Sequence, residues 1–279
     1  MLKTTRVTHH SRAIVTGAGS GIGRAFALEL ARRGGRVVCA DIHFASAQET
    51  ARLIGDVALA CPVDVTDADA VEALADNAEE WFGSPADLVV NNAGVAGGDR
   101  IGDFPLADWH WIMNVNLWGV IHGCHVHAPR MRRAGRGAIL NVASSASFLA
   151  LPGIAPYNVS KAGVLSLSET LAAELAGSGV RVGVLCPTLV KTSITQSART
   201  GQTPPGHLAL VDKLMARVGM TPEDAVQQAL DGLDRDRFYL VPQLDARLFW
   251  HLKRHTPRLH TRLMGALDRL TAARYGRRD

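Results

Sequence analysis

The sequence predicts an α/β fold, a single doubly wound parallel sheet with helices on both faces. Three observations predict it. Short apolar runs alternate with longer segments of helical periodicity, which is the signature of βαβ units. The runs are continuously apolar rather than alternating with polar residues, as strands covered on both faces require. No internal repeat or low-complexity linker interrupts the 279 residues. The chain therefore reads as one catalytic-sized domain over residues 1–244 and a helical, basic extension over 245–279.

The elements follow in order. Ala13–Thr16 is the first strand, and Gly21–Arg33 is a helix with Ile22, Phe26 and Leu30 at helical spacing. Val37–Ala40 is a strand, Ser46–Ile54 a helix, and Val57–Val63 a third strand. Thr66 or Asp67 caps the next helix, which runs to Phe82. Leu88–Val90 is a short strand. A long helical stretch covers Asp108–Ala134, followed by a strand at Ala138–Val142, a helix at Ala155–Ala176 and a strand at Val180–Leu185. After Pro187 the pattern becomes polar and contains Pro204-Pro205-Gly206. Residues 193–219 are expected to form a helical lid, with a helix at His207–Arg217. Thr221–Leu233 is a helix with Thr221 as cap and Pro222 in its first turn, and Phe238–Val241 is a last strand.

Composition narrows the function classes. Hydrophobic residues make up 47% of the chain and charged residues 20%, so it can bury a core and is not disordered. Aromatics at 5% leave that core mainly aliphatic. Of the 30 Lys and Arg, nine lie between Arg247 and Asp279, opposed there only by Asp268 and Asp279. The basicity sits in the tail, so nucleic-acid binding by the main domain is not expected. Cys39, Cys61, Cys124 and Cys186 form no C-x-x-C pair and have no His at zinc-site spacing. No metal is expected, and the thiols read as small buried hydrophobes in a reducing compartment. The first residues lack the apolar core of a secretory signal, and no run of about 18 apolar residues predicts a membrane span. A cytoplasmic location is expected.

Chemistry concentrates at strand ends. Thr16–Gly23 reads TGAGSGIG between the first strand and the first helix. Gly17, Gly21 and Gly23 would let backbone approach a pyrophosphate lying on the helix N-terminus. Asp41 ends the second strand, 18 residues after Gly23, where a carboxylate reaches ribose hydroxyls and repels a 2′-phosphate. No Arg or Lys follows it until Arg52, so NAD(H) is expected over NADP(H). Asp64 is placed either to meet the adenine or to cap the next helix. Tyr157 and Lys161 are four apart near a helix start and share a face. An ammonium there would lower the tyrosine pKa from about 10 and suit it for proton transfer at a carbonyl or carbinol oxygen. Ser144, at a strand end 13 residues earlier, is placed to hydrogen-bond that oxygen. Asn91, Asn92 and Asn116 read equally well as turn or cap residues.

These residues carry a resemblance. Thr16–Gly23, Asp64-Val65, Asn91–Gly94 (NNAG), Asn114-Val115-Asn116, Ser144, Tyr157–Lys161 (YNVSK) and Cys186-Pro187 with Thr192 resemble the short-chain dehydrogenase/reductase family in order and spacing over roughly residues 10–192. The resemblance implies a Rossmann-type fold and roles for individual residues. Tyr157 would be the acid/base, Lys161 would hold the nicotinamide ribose, and Ser144 would orient the substrate oxygen. Asn116 would hold a water in a proton relay through Lys161. The cofactor would run along Gly17, Ser20, Gly21, Ile22 and Gly23, with Asp41, Asp64 and Val65 at the adenosine end. Asn92, Ala93 and Gly94 would flank it, and Pro187, Val190 and Thr192 would border the nicotinamide. Thr188 departs from the glycine common after that proline, which would narrow the space there or add a hydroxyl.

Phe148, Leu149, Leu151, Pro152 and Ile154, with Val95 and Leu189, suggest an apolar pocket. The expected reaction is therefore interconversion of a hydrophobic secondary alcohol and ketone. Two other readings stand beside it, a 3-oxoacyl-thioester reductase and a non-catalytic dinucleotide-binding scaffold. The resemblance implies a homodimer or homotetramer, with Ala162, Gly163, Leu167 and Leu171 suited to close packing. In the tail, Leu259, Leu263, Leu267 and Leu270 recur at helical spacing among basic residues. Such a helix either lies on an anionic membrane or packs on protein. Packing is the favoured reading because Pro257 interrupts the stripe.

Overall fold

The computed structural model of the protein describes residues 6–201, 213 and 215–274. Among these, seven parallel strands form one sheet in the order β3-β2-β1-β4-β5-β6-β7. They are β1 (Arg12–Thr16), β2 (Arg36–Asp41), β3 (Ala58–Pro62), β4 (Leu88–Asn91), β5 (Gly137–Val142), β6 (Val180–Leu185) and β7 (Tyr239–Leu240). The order reverses between β1 and β4, which opens a crevice at the carboxyl ends of those strands. Helices α1 (Gly21–Arg32), α2 (Phe44–Ile54) and α3 (Ala68–Phe82) connect the first four strands. Asp67 caps α3 by accepting from the amides of Asp69 and Ala70, and Gly83 closes it in the left-handed conformation at φ 76°.

The long helical stretch expected after β4 is one continuous rod in three parts. They are α4 (Leu106–Met113), a π-helical segment (Asn114–Trp118) and α5 (Gly119–Ala134). The sequence gives no sign of the π segment, nor of the four-residue α6 (Ala146–Leu149). Then come α7 (Ala155–Glu174) and α8 (Pro222–Asp234), the latter capped by Thr221. Of the expected lid, residues 202–212 and 214 lie outside the described residues, and 215–218 are helical.

Two apolar layers clamp the sheet. On one face Phe26 and Leu30 of α1 and Leu230 and Leu233 of α8 are fully enclosed with Val15, Leu88 and Leu140. On the other, α3, α5 and α7 cover Ile14, Val89 and Ile139. Each such aliphatic side chain contributes roughly 1.5–3 kcal/mol by leaving water. The inner face of α7 is partly polar, and its groups are matched. Asn141 donates to Ser168 Oγ at 3.0 Å and accepts from Asn91 at 2.8 Å. Asn91 is thus a cross-strand partner of Asn141, not a turn or cap residue. Leu171 is buried in this layer, and Gly163 receives Leu117 of the same chain.

The tail forms α9 (Leu244–His255) and α10 (Pro257–Arg274), broken at Thr256. Ala246 is fully buried, Phe249 and Trp250 pack on the core, and His260 is buried. Packing accounts for one face of the hairpin only. Leu244, Leu248, Leu259, Leu263 and Leu270 are 73, 70, 47, 42 and 70% exposed. Among the described residues no helix is long and apolar enough to cross a membrane, and no cluster of His, Cys, Asp and Glu could hold a metal ion.

Candidate active site

The Gly-rich turn joins β1 to α1 at the crevice. Gly17 and Gly21 take φ of +66° and +51°, conformations that glycine adopts without strain. A methyl group on Gly23 would fall 1.9 Å from the Gly17 carbonyl oxygen, so the first turn of α1 rests directly on the loop. Asn92 ties the turn to β4, donating from Nδ2 to the Thr16 carbonyl at 2.9 Å. Thr16 Oγ1 accepts from the amides of Asn92 and Ala93 at 3.1 and 3.2 Å. At the head of α1 the Ser20 side chain makes no capping bond, and no acid occupies the first turn. The helix amides and the positive dipole end are left for an anion.

Asp41 closes the crevice at the end of β2. One carboxylate oxygen accepts from the Gly19 amide at 2.8 Å and the other from the His43 amide at 2.9 Å. Each oxygen keeps acceptor capacity for a further hydroxyl. Gly19 is a participant that the sequence did not reveal. A side chain there would meet Asp41 Oδ2 at 2.8 Å and Ser46 Cβ at 2.7 Å. Arg24, distant in sequence from Asp41, also approaches this corner. Its guanidinium is committed to the Gly19 carbonyl and Thr50. Asp64 does not cap α3. Its Oδ1 accepts from the amide and hydroxyl of Thr66 at 2.9 and 2.8 Å.

Ser144 follows β5, and Tyr157 and Lys161 lie on successive turns of α7. Lys161 is buried, and its Nζ donates to the Val142 carbonyl at 2.9 Å. That nitrogen lies 5.8 Å from the centre of the Tyr157 ring. Burial pushes the Lys161 ammonium down to about 8. The expectation that Lys161 pulls the phenol down is corrected here. Burial raises the Tyr157 pKa, and the opposing influence is a hydrogen bond from Ser144. Ser144 is itself fixed by the Ala146 amide at 3.2 Å.

Asn116 does not reach the cleft. It stands behind Gly94 in the π segment and binds the backbone of Val95 in both directions, accepting at 2.8 Å and donating at 2.9 Å. It also donates to Ser160 Oγ at 3.2 Å. Its side chain thus locks the loop after β4 to the start of α7. A methyl group on Gly94 would meet both Asn116 Oδ1 and Lys161 Nζ, at 3.3 and 3.4 Å, so the three are packed together.

One cleft of about 440 Å³ gathers the rest. Gly17, Ser20, Gly21, Ile22, Gly23, Asp41, Asp64 and Val65 line one end. Asn92, Ala93, Gly94, Ser144, Tyr157, Lys161, Pro187, Val190 and Thr192 line the remainder. Thr188 borders it while its hydroxyl turns away to Asp245 at 3.4 Å.

The apolar wall differs from the expected one. Phe148 and Leu149 are buried in the core, and Val95 alone of the expected set reaches the cleft. Trp111, Val115, Ile194 and Met215 form the wall instead. Arg199 fixes Trp111. Its guanidinium lies 4.0 Å over the indole and pairs with Asp108 at 2.8 Å, while its backbone bridges to Gly97. No local pattern marks these positions, because they come together only when the segment after β6 folds across α4.

Comparisons with known proteins give the family. The model of the short chain dehydrogenase family matches residues 11–203. The chain belongs to that family. The probable oxidoreductase EphD of Mycobacterium tuberculosis is 41% identical over 231 residues, which cover 77% of this chain and 38% of EphD. The chain thus spans well under half of that curated relative. The 2-(R)-hydroxypropyl-CoM dehydrogenase of Xanthobacter autotrophicus is 39% identical over 191 residues, covering 66% of this chain and 76% of the enzyme. A short chain dehydrogenase/reductase from Burkholderia phymatum, crystallised with NAD, superposes with a TM-score of 0.83 at 32% identity. The match covers 93% of this chain and 96% of that one.

Proposed function

We propose that this member of the short chain dehydrogenase family is an NAD(H)-dependent oxidoreductase that interconverts a hydrophobic secondary alcohol and its ketone. The observation that supports it best is the single cleft lined by both the Gly-rich turn with Asp41 and the group Ser144, Tyr157 and Lys161. A dinucleotide suits these residues, since Gly17, Gly19 and Gly23 leave no room for a side chain against Ala93, Ser46 and the Gly17 carbonyl, so the turn packs tightly and offers bare backbone.

The bound nicotinamide supplies the hydride acceptor or donor. The amides at the head of α1 hold the pyrophosphate, and Asp41 holds the adenosine ribose hydroxyls. Ser144 donates a hydrogen bond to the substrate oxygen. Tyr157 gives that oxygen a proton in reduction and takes one in oxidation. Burial favours the neutral phenol, the form that donates. Lys161 binds the nicotinamide ribose, and Asn116 keeps Lys161 and Gly94 in register. Trp111, Val115, Ile194 and Met215 receive the apolar part of the substrate. Asp41 supports NAD(H) over NADP(H), because a 2′-phosphate would face its carboxylate. We further propose a homodimer or homotetramer, supported by Trp118 and Val159, which are 50 and 48% exposed.

The test is a panel of secondary alcohols offered with NAD and with NADP, followed by absorbance of the reduced nicotinamide. Turnover of apolar alcohols with NAD, at least tenfold above that with NADP, is the expected result. A preference for NADP, or turnover confined to charged alcohols, would contradict the assignment.

A further inference from the structure

We propose that the α9–α10 hairpin docks the protein on an anionic lipid surface, with α10 lying in the interface. The leucines of α10 are only partly covered by the chain, for Leu259, Leu263, Leu267 and Leu270 remain 47, 42, 41 and 70% exposed. At 100° per residue these four fall within an arc of about 80°, a narrow apolar stripe along one side of the helix. Arg258, Arg262 and Arg269 fall within about 40° of one another on its shoulder. Pro257 does not break this stripe, because it stands at the first position of α10 and the stripe begins after it.

Charge decides between the possible occupants. The two acids of the hairpin among the described residues have partners within the chain. Asp268 meets Arg100 at 3.3 Å, and Asp245 accepts from the Ala246 amide at 2.8 Å. Among the described residues no ion pair takes up Arg258, Arg262 or Arg269, all of them exposed; Arg254 lies over Trp250. A second copy of this face would bring the same cations together and repel. Anionic headgroups would neutralise them while the leucines enter the acyl boundary and the arginine stems lie along it. The hairpin is held rigidly enough to present that face, because His260 is buried and α9 lies against α6. The inference does not depend on the catalytic reading.

Co-sedimentation of the full chain with vesicles of phosphatidylcholine alone, and of phosphatidylcholine with phosphatidylglycerol, tests it. The protein is expected to sediment with the anionic vesicles at low salt and to be released as salt screens the charges. Replacing Arg258, Arg262 and Arg269 by Gln should weaken that binding roughly a hundredfold, from the attraction of each cation to an anionic leaflet. The pair Leu263→Gln and Leu270→Gln should abolish retention on anionic vesicles. Failure of the wild-type chain to bind anionic vesicles at low salt would overturn the proposal. So would equal binding to both vesicles, or a Leu variant that splits an oligomer in sedimentation velocity yet binds lipid as before. NADH binding, measured alongside, reports on the cleft separately.

Discussion

Asp41 shows how one side chain can hold a loop and, on the proposed reading, wait for a ribose. Its two oxygens hold the Gly19 and His43 amides, so the carboxylate is aimed before any ribose arrives and pays little ordering entropy on binding. Asp41→Ala should weaken NADH binding by about tenfold or more, as expected for lost hydrogen bonds to a charged group, and narrow the gap to NADPH. Asp41→Asn, which keeps an acceptor without the charge, should retain more of the NADH affinity. Fluorescence titration with both cofactors measures this, and tighter NADH binding in Asp41→Ala would refute the ribose assignment. The turn and the Tyr157–Lys161 spacing were legible in the sequence because each is a local pattern. Gly19 was not, because its need to be glycine comes from Ser46 and Asp41 pressing on it from another element. The direction of the Tyr157 shift was not legible either, since burial is a property of the folded chain and outweighs the hydrogen bond from Ser144.

At the level of elements, strand and helix positions followed from apolar patterning to within a few residues, from Ala13–Thr16 against the observed Arg12–Thr16 to Val180–Leu185 unchanged. The π segment escaped because its extra residue per turn leaves no mark on hydrophobic spacing. It carries Asn116, which ties the loop after β4 to the start of α7. Asn116→Ala would leave both the amide and the carbonyl of Val95 without their partner, costing about 1–3 kcal/mol for each buried group. Differential scanning calorimetry should show the melting midpoint lowered by at least roughly 2–4 °C, with kcat reduced as Gly94 and Lys161 loosen. An unchanged midpoint would mean that the Asn116–Val95 pairing contributes nothing.

Across the whole molecule, the strand order brings segments far apart in sequence to one crevice. β1 and β4 part at the switch point, β5 and β6 deliver Ser144 and Pro187, and α7 lays Tyr157 and Lys161 over them. The segment after β6 then supplies Ile194 and, through Arg199, fixes Trp111. The Gly-rich end of this cleft was readable from motifs, whereas the apolar wall of Trp111, Val115, Ile194 and Met215 was not, because it is built by long-range packing. The central claim is that the Tyr157 phenol moves the proton while other groups bind the dinucleotide. The most direct measurement is steady-state turnover of Tyr157→Phe beside its NADH dissociation constant. The account predicts turnover lowered by about 10²–10⁴-fold or more, with NADH affinity within a few-fold of wild type. Undiminished turnover in that variant would contradict it.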